Sequence, residues 1–249
     1  MEQKEKRSNW MNHPPMLQLY RQVREAGVEL EPDPDFLKDP KLGRYGEYQL
    51  KHLEIPQNIK DFLMQVGLPD QFLDFRSPDE ENDYKKDVYP GVIFWVSCLR
   101  IETIKRKKYL VIGEYRSLNR ACIISNANTP DETKKWEKSE ESSPVVVELK
   151  TGTVWQWIHY YSEDEFTFIN SSLEQYLLSM AYWQAFYPGF SKHVLDYLNK
   201  HPEKSELGYI FRNDKRLYNS FRSCLKVLDP PALRKRMAFW KRMTDISLI

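Results

Sequence analysis

The hydrophobic period of the chain changes at Asn170-Ser171-Ser172, and that change limits the available folds more than any other feature. Upstream lie short apolar runs separated by turn signals. Val92 to Ser97, Tyr109 to Gly113, Ala121 to Ser125, Val145 to Leu149, Thr153 to His159 and a short Phe166 to Ile169 read as strands. Lys150-Thr151-Gly152 is a tight turn of hairpin type, and the polar stretch Asn126 to Ser143 reads as a long loop. Strands this close together leave no room for crossover helices, so they form an antiparallel meander. Downstream, Ser171 with Glu174, or Ser172 with Gln175, makes a capping box. Leu173, Tyr176, Leu177, Met180, Ala181 and Trp183 then follow at helical spacing. Pro188-Gly189 is expected to end that helix. Ser191 to Asn199 and Lys215 to Val227 read as two more. The last begins at Asp229, with Pro230 and Pro231 in its first turn and Leu233, Met237 and Trp240 as its apolar stripe. Segregated strands and helices predict an α+β fold: an antiparallel sheet of about five or six strands, helices packed on one face, and a C-terminal helical extension.

Ahead of the strands, residues 1–44 carry Pro14, Pro15, Pro32, Pro34 and Pro40. Met16 to Gly27 reads as one short helix with Leu17, Tyr20 and Val23 on a face, and Glu29 to Pro40 as an extended linker. Residues 1–44 are therefore expected to be an arm that either wraps the body or stays partly disordered, and residues 45–249 the main domain. The body begins near Leu53. Pro56 opens a helix carrying Ile59, Phe62, Leu63 and Val66, and Gly67 stops it. Ser77 to Lys86, with Asp79, Glu80, Glu81 and Asp83, reads as an exposed acidic loop.

Charge narrows the class of partner. The 249 residues carry a net charge of +1, so the molecule as a whole has no strong pull toward nucleic acid or an anionic membrane. Residues 192–249 hold 13 Lys/Arg against 6 Asp/Glu, and residues 1–191 hold 24 against 30. The body is mildly acidic and the tail basic. The tail's Arg234-Lys235-Arg236 and Lys241-Arg242 could serve nucleic acid, but its stripe is apolar enough to dock Trp240 into the core. Cys98, Cys122 and Cys224 show no CxxC spacing, which fits a reducing compartment. The first nine residues lack the apolar stretch of a secretory signal, and the most apolar run, Gly91 to Leu99, is far shorter than a bilayer span. A cytoplasmic protein with no membrane segment is expected.

The residue sets that chemistry needs do not assemble along the chain. P-loop, GxGxxG, GxSxG and HExxH patterns are missing. His13, His52, His159, His193 and His201 show no metal-binding spacing, so no cofactor is expected. His159 near Glu163 and Asp164 suits a surface turn better than an acid–base pair. Arg100 and Arg120 lie two residues from Cys98 and Cys122 and would share strand faces with them, yet no base accompanies either thiol. The chain is therefore read as a non-enzyme that works by binding. The 7 Trp, 15 Tyr and 12 Phe are mainly core material, but Trp and Tyr also anchor interfaces. Trp155, Trp157, His159 and Tyr161 would share one face of their strand, and an uncovered sheet face there would offer aromatic anchors to a partner. Glu114-Tyr115-Arg116, placed in a connection after the second strand, would form a rim. Asp79 and Glu80 of the acidic loop complete the candidate partner-binding set.

The order of these motifs resembles the SUKH superfamily in its fourth group of immunity proteins. The resemblance is carried by Phe62-Leu63-Met64-Gln65-Val66-Gly67-Leu68-Pro69, Tyr109 to Gly113, Ile123-Ile124 and the hairpin Leu149 to Trp155. It continues through Phe168-Ile169-Asn170-Ser171-Ser172-Leu173-Glu174-Gln175-Tyr176, Leu228-Asp229-Pro230, Ala232-Leu233 and Phe239-Trp240. It covers about Leu53 to the C-terminus; the long arm and the long loop depart from it. The resemblance implies a bacterial immunity protein without catalytic residues that binds and blocks a cognate polymorphic toxin, often a nuclease or deaminase with a basic cleft. The acidic body of residues 1–191 would suit such a cleft. A protein-interaction or regulatory module of the same fold, unconnected with toxins, is the alternative.

Overall fold

Five long antiparallel strands and the helices on one side of them frame the molecule. The computed structural model describes residues 9–34, 36–37, 42–69, 73–74, 91–122, 136–160, 163–201, 218–234 and 238–244. The chain enters through a 3-10 turn, Asn9–Asn12, and helix α1, Pro14–Glu25. The two-residue strand β1 (Leu42–Gly43), short α2 (Glu47–Leu50), α3 (Gln57–Gln65) and β2 (Leu68–Pro69) follow. Pro56 sits at the N-cap of α3, and Ile59, Phe62 and Leu63 are buried on one face. Gly67 ends it at φ +85°, where an added Cβ would meet the carbonyl of Gly43 on β1 at 2.5 Å. Only glycine allows both the left-handed turn and that close approach.

The sheet runs in simple sequence order: β3 (Leu73–Asp74), β4 (Gly91–Ile104), β5 (Lys107–Cys122), β6 (Trp136–Glu148), β7 (Val154–Tyr160) and β8 (Glu163–Asn170). Every pairing is antiparallel, and the connections from β4 to β5, β6 to β7 and β7 to β8 are too short for a parallel crossover. Two readings of the strands need correction. Ala121–Cys122 is not the start of a separate strand but the end of β5, which runs unbroken from Lys107. Trp136 to Ser143, expected within a loop, lies on β6 and pairs with β5 from Cys122 to Tyr115. The residues that hide this continuity, 114–120 on β5 and 136–143 on β6, are mostly polar, so they lack the apolar alternation that marks a strand; a two-stranded ribbon needs only its backbone ladder.

The helices differ from the expectation in two respects. Helix α4 spans Leu173–Lys200 and continues through Pro188, where the sequence predicts a stop. A helix-interior proline removes one backbone hydrogen bond and crowds the preceding turn. Here Phe186 stacks on Phe190 across the proline at 5.5 Å, and Trp183 stacks on Tyr187 at 5.6 Å just before it. Pro188 itself is exposed. Next come α5 (Asn219–Leu228), α6 (Pro231–Arg234) and α7 (Phe239–Thr244). The last helix expected from the sequence is thus two short ones, with residues 235–237, including Met237 of the expected stripe, outside the described residues.

One large core joins the sheet's inner face to the helices. Leu110, Ile112, Val145, Val147 and Val154 supply the sheet side, and Tyr176, Leu177, Met180, Trp183, Phe221, Leu225 and Trp240 the helical side. Residues of the N-terminal segment lie in the same core: Trp10, Met16, Val23, Phe36 and Leu37 are all buried there. On α1 the buried positions are Met16 and Val23, whereas Leu17 is half-buried.

A buried polar knot fastens the end of the sheet to the tail. The Asp229 carboxylate accepts hydrogen bonds from Asn170 Nδ2 (2.9 Å), the Ser171 amide (2.9 Å) and Ser171 Oγ (2.8 Å). Asn170 also donates to Ser179 Oγ (3.1 Å) and accepts from Trp240 Nε1 (3.0 Å). Gln175 Nε2 donates to the Leu228 carbonyl (2.8 Å), and the Gln175 amide donates to Ser172 Oγ (3.2 Å), as the capping pattern predicts. Trp240 is fully buried, so the basic tail does lay its tryptophan into the core.

Candidate partner-binding face

Strand alternation sends one set of side chains to the helical core and the other to the opposite face of the sheet. On that outer face Ile104, Tyr109, Val111 and Val146 form a second apolar cluster, with Trp155, Trp157 and Phe166 half-buried against it. Tyr109 on β5 stacks on Phe166 of β8 at 5.0 Å. Two strands lie between them, a span of about 14 Å in a flat sheet, so the sheet curls toward its outer face. The register shows how. β6 and β7 pair only from Val145↔Gln156 to Val147↔Val154, while β6 continues along β5 and β7 continues along β8. The β7–β8 hairpin thus parts from β6 beyond Gln156, whose Nε2 donates to Ser143 Oγ (2.8 Å) at the fork. Bulges between Trp95 and Arg100 and between Val111 and Gly113 add to the curvature.

Two charged hairpin ends flank this face. Glu163, Asp164 and Glu165 open β8. Trp157 Nε1 donates to Asp164 Oδ1 (2.8 Å), which fixes the indole. At the tip of the β4–β5 hairpin stand Lys105, Arg106, Lys107 and Lys108, all exposed. Lys105 Nζ donates to the Asp164 carbonyl (2.7 Å), so the basic tip touches the acidic one. Lys107 pairs with Glu148 and Lys108 with Glu54, each at 2.9 Å. The hydrogen bond and charge of Glu148 hold the Lys107 ammonium above its ordinary pKa, and Lys108 holds the Glu54 carboxyl below its own. Burial, and then Glu148, push the Tyr109 phenol up.

The candidate residues fare differently. Trp155 and Trp157 share the outer face as alternation predicts, with Trp155 edge-on to Phe168 (5.5 Å) and Phe166 (6.3 Å). Glu114-Tyr115-Arg116 is not a connection. It lies within β5, paired on one side with Phe94, Ile93 and Val92 and on the other with Pro144, Ser143 and Ser142. Glu114 is half-buried there, and the side chains of Tyr115 and Arg116 fall outside the described residues, as do Tyr161, Asp79 and Glu80 altogether. His159 is opposite Asp164 in the β7–β8 ladder. The basic run at 105–108 escaped the sequence reading, although four consecutive cations between two apolar strands are a visible signal.

Chemically, this face offers apolar aromatic area bordered by fixed charges of both signs. Among the described residues no group of three His, Cys, Asp or Glu side chains stands close enough to hold a metal ion. Burial pushes the Cys224 thiol up to about 12, so at neutral pH it is no nucleophile. Among the described residues no helix is long and apolar enough to cross a membrane.

Comparison with known proteins gives a family match. The family model described as SUKH-4 immunity protein matches residues 25–245. No curated protein and no solved structure shows significant similarity to the chain.

Proposed function

Because the chain belongs to the SUKH-4 immunity protein family, we propose that it binds a cognate bacterial toxin domain in the cytoplasm and silences it without chemistry of its own. The observation that carries this reading is the family match, which spans the whole sheet, α4 and the tail helices. The outer sheet face supports it physically: Trp155 and Trp157 are aromatic anchors of the kind that dominate binding energy. The acidic balance of residues 1–191 suits a toxin that acts on nucleic acid through a basic cleft, and the carboxylates that open β8 would lie at its edge. Together with Trp155 and Trp157, the proposed contact set comprises Glu114, Tyr115, Arg116, Tyr161, Asp79 and Glu80. Inhibition then needs only matched shape and charge and slow release.

The test is a pull-down of the tagged chain from its own host, with mass spectrometry of what co-purifies. A multidomain protein whose C-terminal fragment kills cells, and no longer kills them when this chain is co-expressed, establishes immunity. A stable partner without toxic activity would move the chain to the class of general interaction modules.

A further inference from the structure

Building on the toxin-binding reading, we infer that Lys105 and Arg106, at the tip of the β4–β5 hairpin, form a contact site for a carboxylate-bearing surface of the bound protein. Three observations meet there. The register Ile104↔Lys107 closes a two-residue hairpin loop, and both loop residues sit at positive φ, Lys105 at 50° and Arg106 at 67°. Asn-Gly or Asp-Gly is the ordinary occupant of such a turn, because L side chains resist that conformation. A lysine and an arginine therefore hold two positions whose geometry disfavours them, the kind of local cost that persists where a site has another use. The loop is also the centre of a cationic patch: Lys107, Lys108 and, in the neighbouring β6–β7 turn, Lys150 are all exposed. Finally, the tip is held rather than loose. Lys105 Nζ is tied to the Asp164 carbonyl across the outer face, and Lys107 and Lys108 are tied to Glu148 and Glu54. A braced cation costs less ordering on binding than a free one.

A protein partner fits this patch better than a nucleic acid. Glu148 pairs with Lys107, Glu54 with Lys108, and Lys105 is tied to Asp164, so a phosphate backbone would meet no unbroken row of positive charge. An array of discrete carboxylates can pair with the cations and avoid the anions. An arginine fork is also the side chain best matched to a carboxylate.

The test uses the full chain and the toxin domain recovered by the host pull-down. Three variants are compared: Lys105→Asn/Arg106→Gly, which installs the favoured turn residues; Lys105→Glu/Arg106→Glu; and Lys226→Glu, at an exposed position of α5, as a charge control. The Asn-Gly variant is expected to melt at or above the wild-type temperature, yet to bind the toxin domain about tenfold more weakly and with a shallower salt dependence. The double glutamate should bind about 100-fold more weakly, and Lys226→Glu as wild type. Unchanged affinity in the Asn-Gly and Glu-Glu variants overturns the inference while leaving toxin binding intact. Wild-type binding to a 20-nucleotide RNA that the Asn-Gly variant loses, with toxin affinity unchanged, also overturns it and makes the patch a nucleic-acid site. A wild-type chain that binds no toxin domain removes both readings.

Discussion

Burial holds the His13 imidazole below its ordinary pKa, against the weaker upward pull of Glu174 and Asp61. The ring stands edge-on to Phe62 at 5.7 Å, and its Nδ1 is buried without a hydrogen-bond partner. A histidine depressed in the folded state binds its proton more readily once unfolded. Stability therefore rises with pH across the window between the folded pKa and the unfolded value of about 6.5, and falls as pH drops through that window. His13→Phe should flatten the pH dependence of urea-induced unfolding between pH 7 and pH 5; identical slopes for variant and wild type would show that His13 does not carry it. Such a residue is hard to find from sequence, because a histidine among prolines gives no sign of what will cover it. Trp155 and Trp157 were legible because strand alternation is a strict rule. Lys105 and Arg106 owe their interest to positive φ, which no residue pattern announces.

Among the elements, the parts read most accurately were those where apolar period and turn chemistry agree. Helix α3 has proline at its start, Ile59, Phe62 and Leu63 on one face and Gly67 after its end, and it appears as read. Reading failed where one signal overruled another. Pro188 is a helix breaker locally, but Phe186 and Phe190 carry α4 across it. Glu114-Tyr115-Arg116 looks like a loop because it is charged, yet the ladders on both sides keep it in β5. The motif order Asn170-Ser171-Ser172 and Leu228-Asp229-Pro230 proves to be one polar knot, joined across 58 residues by Ser171 and Asp229. Asp229→Ala would remove the shared acceptor of buried Asn170, which would keep only Ser179, and of half-buried Ser171. The expected loss is about 3–5 kcal/mol in chemical denaturation, with the tail helices loosening first in hydrogen exchange. A loss below about 1 kcal/mol would mean that water replaces the carboxylate there without penalty.

For the whole molecule, the decisive question is what residues ahead of the family match contribute. The match begins at residue 25, so α1 lies almost wholly outside it. Even so, Met16 and Val23 are fully buried against α4 and α5, and Trp10 is buried beside them and edge-on to Tyr20 at 5.5 Å. Tyr20 donates to Glu31 Oε2 (2.8 Å), and Arg24 pairs with Glu31 at 3.3 Å. Beyond that point, the Asp33 amide donates to the Ala181 carbonyl on α4 (3.0 Å), fixing the strap that follows α1. Each large apolar side chain returned to water costs about 1.5–3 kcal/mol, so losing Trp10, Met16 and Val23 together approaches the whole stability of an ordinary domain. The exposed Arg24–Glu31 pair adds little. A chain starting at residue 26 should therefore melt far below the full-length protein or fail to fold, and supplying a peptide of residues 1–25 should recover part of the loss. Equal melting temperatures for the two chains would make α1 an accessory laid on a self-sufficient core. The contact face would then have to be sought with α1 as part of it, because a dispensable helix that still covers apolar surface is free to exchange for a partner.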